Sequence, residues 1–201
     1  MMMRTLLVLA VSVLACGKGG DKAGDKAGDK GAAPAAAAID VAGVNALVPA
    51  DLKAKLVFDK TDVVAEMGRH IRTYTLAAPK GWTSRMKGFA SLKGGDDLGF
   101  STSLDLGSNC DGTCEPKDWA STSDKALFSQ FAKDKVIKDE KKPNSRLLIS
   151  ERAKSTFVIY AWWENGAKRY HSCTATLEEV VKGAAPAFEK ACQAVTVSGD
   201  D

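Results

Sequence analysis

Two histidines and five cysteines are the side chains of this chain whose reactivity depends most on their neighbours. A histidine beside a hydroxyl group and a carboxylate could activate a nucleophile. His171 is the main candidate for such a base, with Asp105 and Asp118 as the carboxylates. The chain has no Gly-x-Ser-x-Gly turn and no phosphate-binding glycine loop. His171 and His70 both fall in predicted strands, so we expect structural histidines and keep a hydrolase as the alternative.

Oxygen ligands for calcium are also conceivable around residues 105–118. Asp105, Asp111, Glu115 and Asp118 are close together in the sequence. An EF-hand loop needs acidic groups at alternate positions and a glutamate at the twelfth, which this spacing does not provide. We therefore predict solvated loop charges, with no metal and no cofactor.

The N-terminus has the features of an export signal. One positive charge, Arg4, precedes an apolar run that ends at Ala15, directly before Cys16. A charged start, a short apolar run and a small residue at the cleavage point are typical of a secretory signal peptide. Residues 1–15 are therefore predicted to be a signal peptide that is removed.

The four residues Val13-Leu14-Ala15-Cys16 resemble the lipobox of bacterial lipoproteins. The resemblance implies that Cys16 carries a diacylglycerol on its thiol and usually a third acyl chain, such as palmitate, on its amine. Two or more acyl chains give stable membrane anchoring. Gly17 takes the place of the aspartate that tends to retain such proteins at the inner membrane, which favours the outer membrane, facing the periplasm or the cell surface.

Composition divides the rest of the chain into a tether and one domain. Residues 16–38 are rich in Gly, Ala, Asp and Lys and lack large apolar groups, so they are predicted to form a flexible tether after the lipidated cysteine. Residues 39–201 are predicted to form a single globular domain. The whole chain is 45% hydrophobic and 26% charged, with a net charge of +3. This balance excludes a concentrated basic face, so no nucleic-acid partner is expected.

Alternating and helical periodicities predict a mixture of strands and helices in that domain. A helix is predicted over 118–133, with Leu127, Phe128 and Phe131 as its apolar stripe. A closing helix is predicted from the capping pair Thr176 and Glu179, kinked further on by glycine and proline. A short helical stretch is predicted near 49–55, and strands near 56–64, 71–78, 86–92, 98–106, 136–139, 146–151, 157–163 and 168–175.

The last two predicted strands are joined by Asn165-Gly166, a strong hairpin signal. A two-residue turn there would place Tyr160 opposite His171 and Trp162 opposite Arg169. Both faces of this hairpin carry large apolar groups, so both must be covered. We therefore predict an α+β fold, a mainly antiparallel sheet covered by helices on both faces (an α/β/α sandwich).

This order of elements is similar to the PsbP-like fold. The segment Tyr74-Thr75-Leu76-Ala77-Ala78-Pro79-Lys80-Gly81-Trp82 resembles the entry motif of that family, in which a strand runs into Pro-x-Gly-Trp. The closing helix with an inward cysteine resembles secreted bacterial members. The resemblance implies docking or accessory work and carries over no catalytic residue.

The four cysteines of the domain are predicted to form two disulfides, because exported chains meet an oxidising compartment. We predict Cys110 with Cys114, across a tight loop, and Cys173 with Cys192, between a strand and the closing helix. Cys110, Cys114, His171 and Cys173 are also ligand types for zinc, but that site would leave Cys192 alone. The Cys-x3-Cys spacing could alternatively have a redox role.

These observations predict a lipid-anchored envelope protein whose domain binds or scaffolds without catalysis. Its expected partners are the membrane, through the lipid, and another envelope protein or envelope component. An envelope hydrolase with a site around His171, Asp105 and Asp118 remains the alternative.

Overall fold

The fold is described from a computed structural model, which covers residues 38–67, 70–84, 88–109, 127–163 and 170–199. These residues belong to one compact unit. In chain order its helices and strands are α1 (Val41–Ala46), β1 (Phe58–Met67), β2 (His70–Pro79), β3 (Thr83–Ser84), β4 (Ser91–Lys93), β5 (Ser103–Asn109), β6 (Lys135–Lys142), β7 (Ser145–Arg152), β8 (Ser155–Trp163), β9 (Tyr170–Glu178), α2 (Ala185–Gln193) and β10 (Thr196–Gly199).

The strands form two antiparallel sheets. The small sheet has three strands in the order β1-β2-β10, and the large sheet has seven in the order β3-β4-β5-β9-β8-β7-β6. Neighbouring strands of the large sheet follow one another in sequence except where β5 pairs with β9. The edges of the large sheet are therefore β3 and β6.

One face of the large sheet packs against α2 and the small sheet. This main core takes alternate residues from every long inner strand, such as Leu106, Val158 and Ala175, because successive side chains of a strand point to opposite faces. Phe188 of α2 lies at its centre, with its ring centroid 5.1 Å from that of Phe58 and 5.7 Å from that of Trp82.

The opposite face has a smaller core. Phe128 and Phe131, in a short 3-10 turn, pack on Ile159, Ala161 and buried neighbours from β7 and β9. Arg146 and Arg152 also lie over these phenyl rings, at 4.3 Å from Phe128 and 5.8 Å from Phe131. A single turn, held by cation–π contacts, thus covers the β7–β8 part of this face.

The predicted α/β/α sandwich is wrong. The structure is mainly antiparallel β, with a second sheet and one helix on one face of the large sheet and a 3-10 turn on the described part of the other. The reason is that strands β1 and β2 bury their own inner face on the large sheet and so take the place of a helical layer beside α2. On the described part of the opposite face, the short turn with Phe128 and Phe131 covers the apolar side chains. Of the helix predicted over 118–133, residues 127–133 form turns; the others lie outside the described residues.

Local predictions also differ from the structure elsewhere, and the strand predicted near 86–92 is seen only as β4, Ser91–Lys93. Thr176 lies in β9 and caps no helix; α2 begins at Ala185, where Pro186 suits the first helical turn. Residues 50–55 form turns, while the helix that the sequence did not reveal, α1, precedes them and is capped by Asp40. The strand predicted from residue 98 begins at Ser103, because Gly99 has a φ of +97° in the preceding turn.

The β8–β9 hairpin has the predicted faces in a different register. Trp162 pairs with His171 and Tyr160 with Cys173, two residues from the prediction. The described pairing runs as far as Trp163 and Tyr170, and the predicted Asn165-Gly166 turn lies outside the described residues. A shift by two leaves the described side chains of both strands on their predicted faces.

Phe188→Ala tests the central role of this helix. We expect the free energy of unfolding to fall by about 3–5 kcal/mol, because the buried ring leaves a cavity against Phe58 and Trp82. Urea titration of the full chain measures the loss. Phe100→Ala, at a side chain that is 71% exposed, is the matched control and should cost less than about 1 kcal/mol. Equal losses in the two variants would contradict this packing.

Candidate functional site

His171 is packed among aromatic rings between the two sheets. It is only 3% exposed, and its ring centroid lies 5.5 Å from that of Trp162 and 6.2 Å from that of Tyr74. The ring of Tyr160 stacks on that of Trp162, with their centroids 5.3 Å apart. The burial and the ring contacts are those of a core histidine, as the sequence predicted.

Asp105 lies on the other face of the large sheet. Its neighbours Leu104 and Leu106 point into the main core, so the carboxylate between them points away from it. It accepts hydrogen bonds from the hydroxyl groups of Ser91 and Ser103, the latter at 2.9 Å. The sheet therefore separates Asp105 from His171, and Asp118 lies outside the described residues.

Cys173 and Cys192 form a disulfide, as the sequence predicted for this pair. Their Cα atoms are 5.4 Å apart, and both residues are fully buried. The bond joins β9 to α2 inside the main core and makes Cys173 unavailable as a zinc ligand. Cys16, Cys110 and Cys114 lie outside the described residues.

The described part of the chain contains no group of three or more histidine, cysteine or acidic side chains placed to hold a metal ion. Its helices include none that is both long and apolar enough to span a bilayer.

The most accessible backbone of the large sheet is its edge strand, β6. Its eight residues, Lys-Val-Ile-Lys-Asp-Glu-Lys-Lys, are all exposed or half-buried, and no described strand pairs with its outer edge. Such an edge presents free backbone N–H and C=O groups that another strand can use. The opposite edge, β3, has only two residues.

A β-bulge turns one apolar side chain of this strand towards a groove. The register of β6 against β7 shifts between Val136 and Lys138, which leaves Ile137 unpaired and 50% exposed. Bulges of this kind redirect a side chain and often lie near functional sites. Ile137 forms one wall of a groove of about 380 Å³.

The groove lies where α2 stops covering the main face of the large sheet. Ile149 and Thr156, both buried, line it on β7 and β8, and Ala185 and Pro186 line it from the start of α2. Glu151 and Lys182 also line it, and each is ion-paired to a neighbour, Lys135 and Glu179 respectively. We call β6 and this groove together the edge groove.

Ion pairs hold β6 in place on both faces of the sheet. Arg146 of β7 is buried and donates two hydrogen bonds of 2.9 Å to the carboxylate of Asp139. Burial raises the pKa of the Asp139 carboxyl and lowers the pKa of the Arg146 guanidinium, because both charges lose water. On the other face the ammonium of Lys138 donates to Glu189 of α2 at 2.7 Å. The pKa of Lys138 is raised by its hydrogen bonds to Glu189 and Glu140.

The edge groove can bind an extended chain in two ways. The outer edge of β6 can form backbone hydrogen bonds with it, and the groove can contact one of its apolar side chains. Sequence reasoning located a strand near 136–139 but did not identify it as an edge of the sheet. The signal that could have done so is its composition, four lysines around an apolar pair, because lysine is common on exposed edge strands.

No family model matches the chain, and comparisons with curated proteins and with solved structures find no match either.

Removing the disulfide should destabilise the domain without changing its surface. We expect Cys192→Ala to lower the free energy of unfolding by about 3 kcal/mol, because the bond closes a loop of 19 residues. Urea titration with and without reductant measures this. Reductant should lower the stability of the wild type by more than that of the variant, in which only the predicted Cys110–Cys114 bond is left to reduce. Equal effects of reductant on the two proteins would contradict the bond between Cys173 and Cys192.

The ion pair between Asp139 of β6 and the buried Arg146 of β7 can be tested by a double-mutant cycle. Asp139→Asn should cost about 3 kcal/mol, because it leaves the charge of Arg146 buried and uncompensated. Adding Arg146→Met should recover most of that loss, since the unpaired charge is then gone. Urea unfolding of the three variants measures the coupling. Strictly additive losses would show that the two side chains do not act as a pair.

Proposed function

We propose that this protein is an envelope lipoprotein, anchored by acyl chains on Cys16, that displays a non-catalytic binding domain. The observation that carries the proposal is the junction of Ala15 and Cys16, placed after Arg4 and an uninterrupted apolar run. Residues 16–38 then act as the spacer between the lipid and the domain. Gly17 favours the outer membrane as the destination.

Three features of the domain support this proposal. The Cys173–Cys192 disulfide suits an exported chain, because such bonds persist in oxidising compartments. His171 is enclosed by aromatic rings and lies on the opposite face from Asp105, so these two residues do not form a catalytic pair. The edge groove provides a surface suited to holding a partner.

Lipidation at Cys16 is the direct test. Cys16→Ser should abolish incorporation of a palmitate analogue and release or mislocalise the protein, because serine lacks the thiol that carries the diacylglycerol. Labelling of cells followed by gel electrophoresis and fractionation measures both effects.

Leu14→Ala is the matched control for this experiment. It changes the same segment, retains the thiol and should label as the wild type does. Equal labelling of the Cys16→Ser variant and the wild type would overturn the proposal.

A further inference from the structure

We propose that the edge groove binds an extended acidic peptide segment of another envelope protein. The segment pairs with β6 as an additional strand of the large sheet and places an apolar side chain in the groove. This inference rests on the proposed function and deepens it by naming the kind of partner and the surface it uses.

The backbone of β6 supplies the first part of the argument. The strand is eight residues long, and no described strand covers its outer edge. A strand of this length can pair with a peptide along most of its extent. Because Asp139 and Lys138 are tied to the neighbouring β7 and α2, the edge is already ordered and loses little entropy on binding.

The groove supplies a place for one side chain of the peptide. Its volume of about 380 Å³ is many times the ~30 Å³ that a water molecule occupies in the liquid. Its apolar lining residues include Ile149 of β7, Ile137 of β6 and Pro186 of α2. Since Ile137 belongs to the edge strand itself, a peptide on β6 lies directly beside the opening.

The positive charge of β6 favours an acidic partner over a basic one. The strand carries four lysines and two acidic residues. Lys135 and Lys138 are ion-paired, with Glu151 and with Glu189 and Glu140, and Asp139 is bound by Arg146. Lys142 has no ion-pair partner among the described residues, and Lys141 only approaches Asp139, at 3.9 Å. An acidic peptide therefore gains attraction at this end of the edge, while a second copy of β6 would bring a second set of lysines against the first.

A synthetic peptide of alternating glutamate and valine, eight residues long and capped at both ends, is the probe. Fluorescence anisotropy measures its binding to the full chain purified in detergent. We expect it to bind at least about tenfold more tightly than the corresponding lysine–valine peptide. Methylation of the backbone nitrogens on one edge of the acidic peptide should abolish binding, because those N–H groups pair with β6.

Two variants locate the site. Ile137→Asn should weaken binding of the acidic peptide about tenfold or more, because it removes the apolar wall without changing charge. Phe100→Asn removes another exposed apolar side chain elsewhere and should leave the affinity within about twofold. Circular dichroism and urea unfolding verify that both variants are folded.

Several results would overturn the inference. These are no binding of the acidic peptide, equal binding of the acidic and basic peptides, indifference to backbone methylation, or an equal effect of the two substitutions. A dimer of the chain abolished by Ile137→Asn would also overturn it, because the occupant would then be a second copy. The probe is added to purified protein and does not report lipidation, so its failure would leave the proposal for Cys16 standing.

Discussion

The large sheet must be covered on both faces, and the rest of the fold follows from how this is done. Val158 and Ile159 are adjacent in β8, point to opposite faces and are both fully buried. No single layer can bury both. One face takes α2 and the small sheet, centred on Phe188; the other takes a 3-10 turn carrying Phe128 and Phe131.

The covering layers also determine which surface is left for a partner. α2 packs along β8 and β9, and Glu189 reaches Lys138 of β6, but the helix starts at Ala185 and leaves the corner beyond it open. The bulge at Ile137 gives this corner an apolar wall. His171, by contrast, is enclosed between the two sheets by Tyr74 and Trp162 and is almost fully buried.

Much of the fold could be predicted because period-two alternation is a local property. The strands around 58–67, 70–79, 145–152, 155–163 and 170–178 were found within a few residues, as was the buried side of α2 through Phe188 and Cys192. The helix predicted over 127–133, the described part of 118–133, and the cap at Thr176 were misjudged for a related reason. Spacing of apolar residues shows which side chains need burial, but not whether a helix, a turn or a second sheet buries them.

The sequence by itself determined which residues of β8 and β9 share a face and that Cys192 lies on the buried stripe of α2. Both depend on local periodicity, along a strand or around one helix. Only the tertiary structure decided that Trp162 pairs with His171, that β1 and β2 form a separate sheet, and that β6 lies at an edge with Ile137 unpaired. These features depend on loop lengths and on competition between distant strands for the same partners, which local composition does not encode.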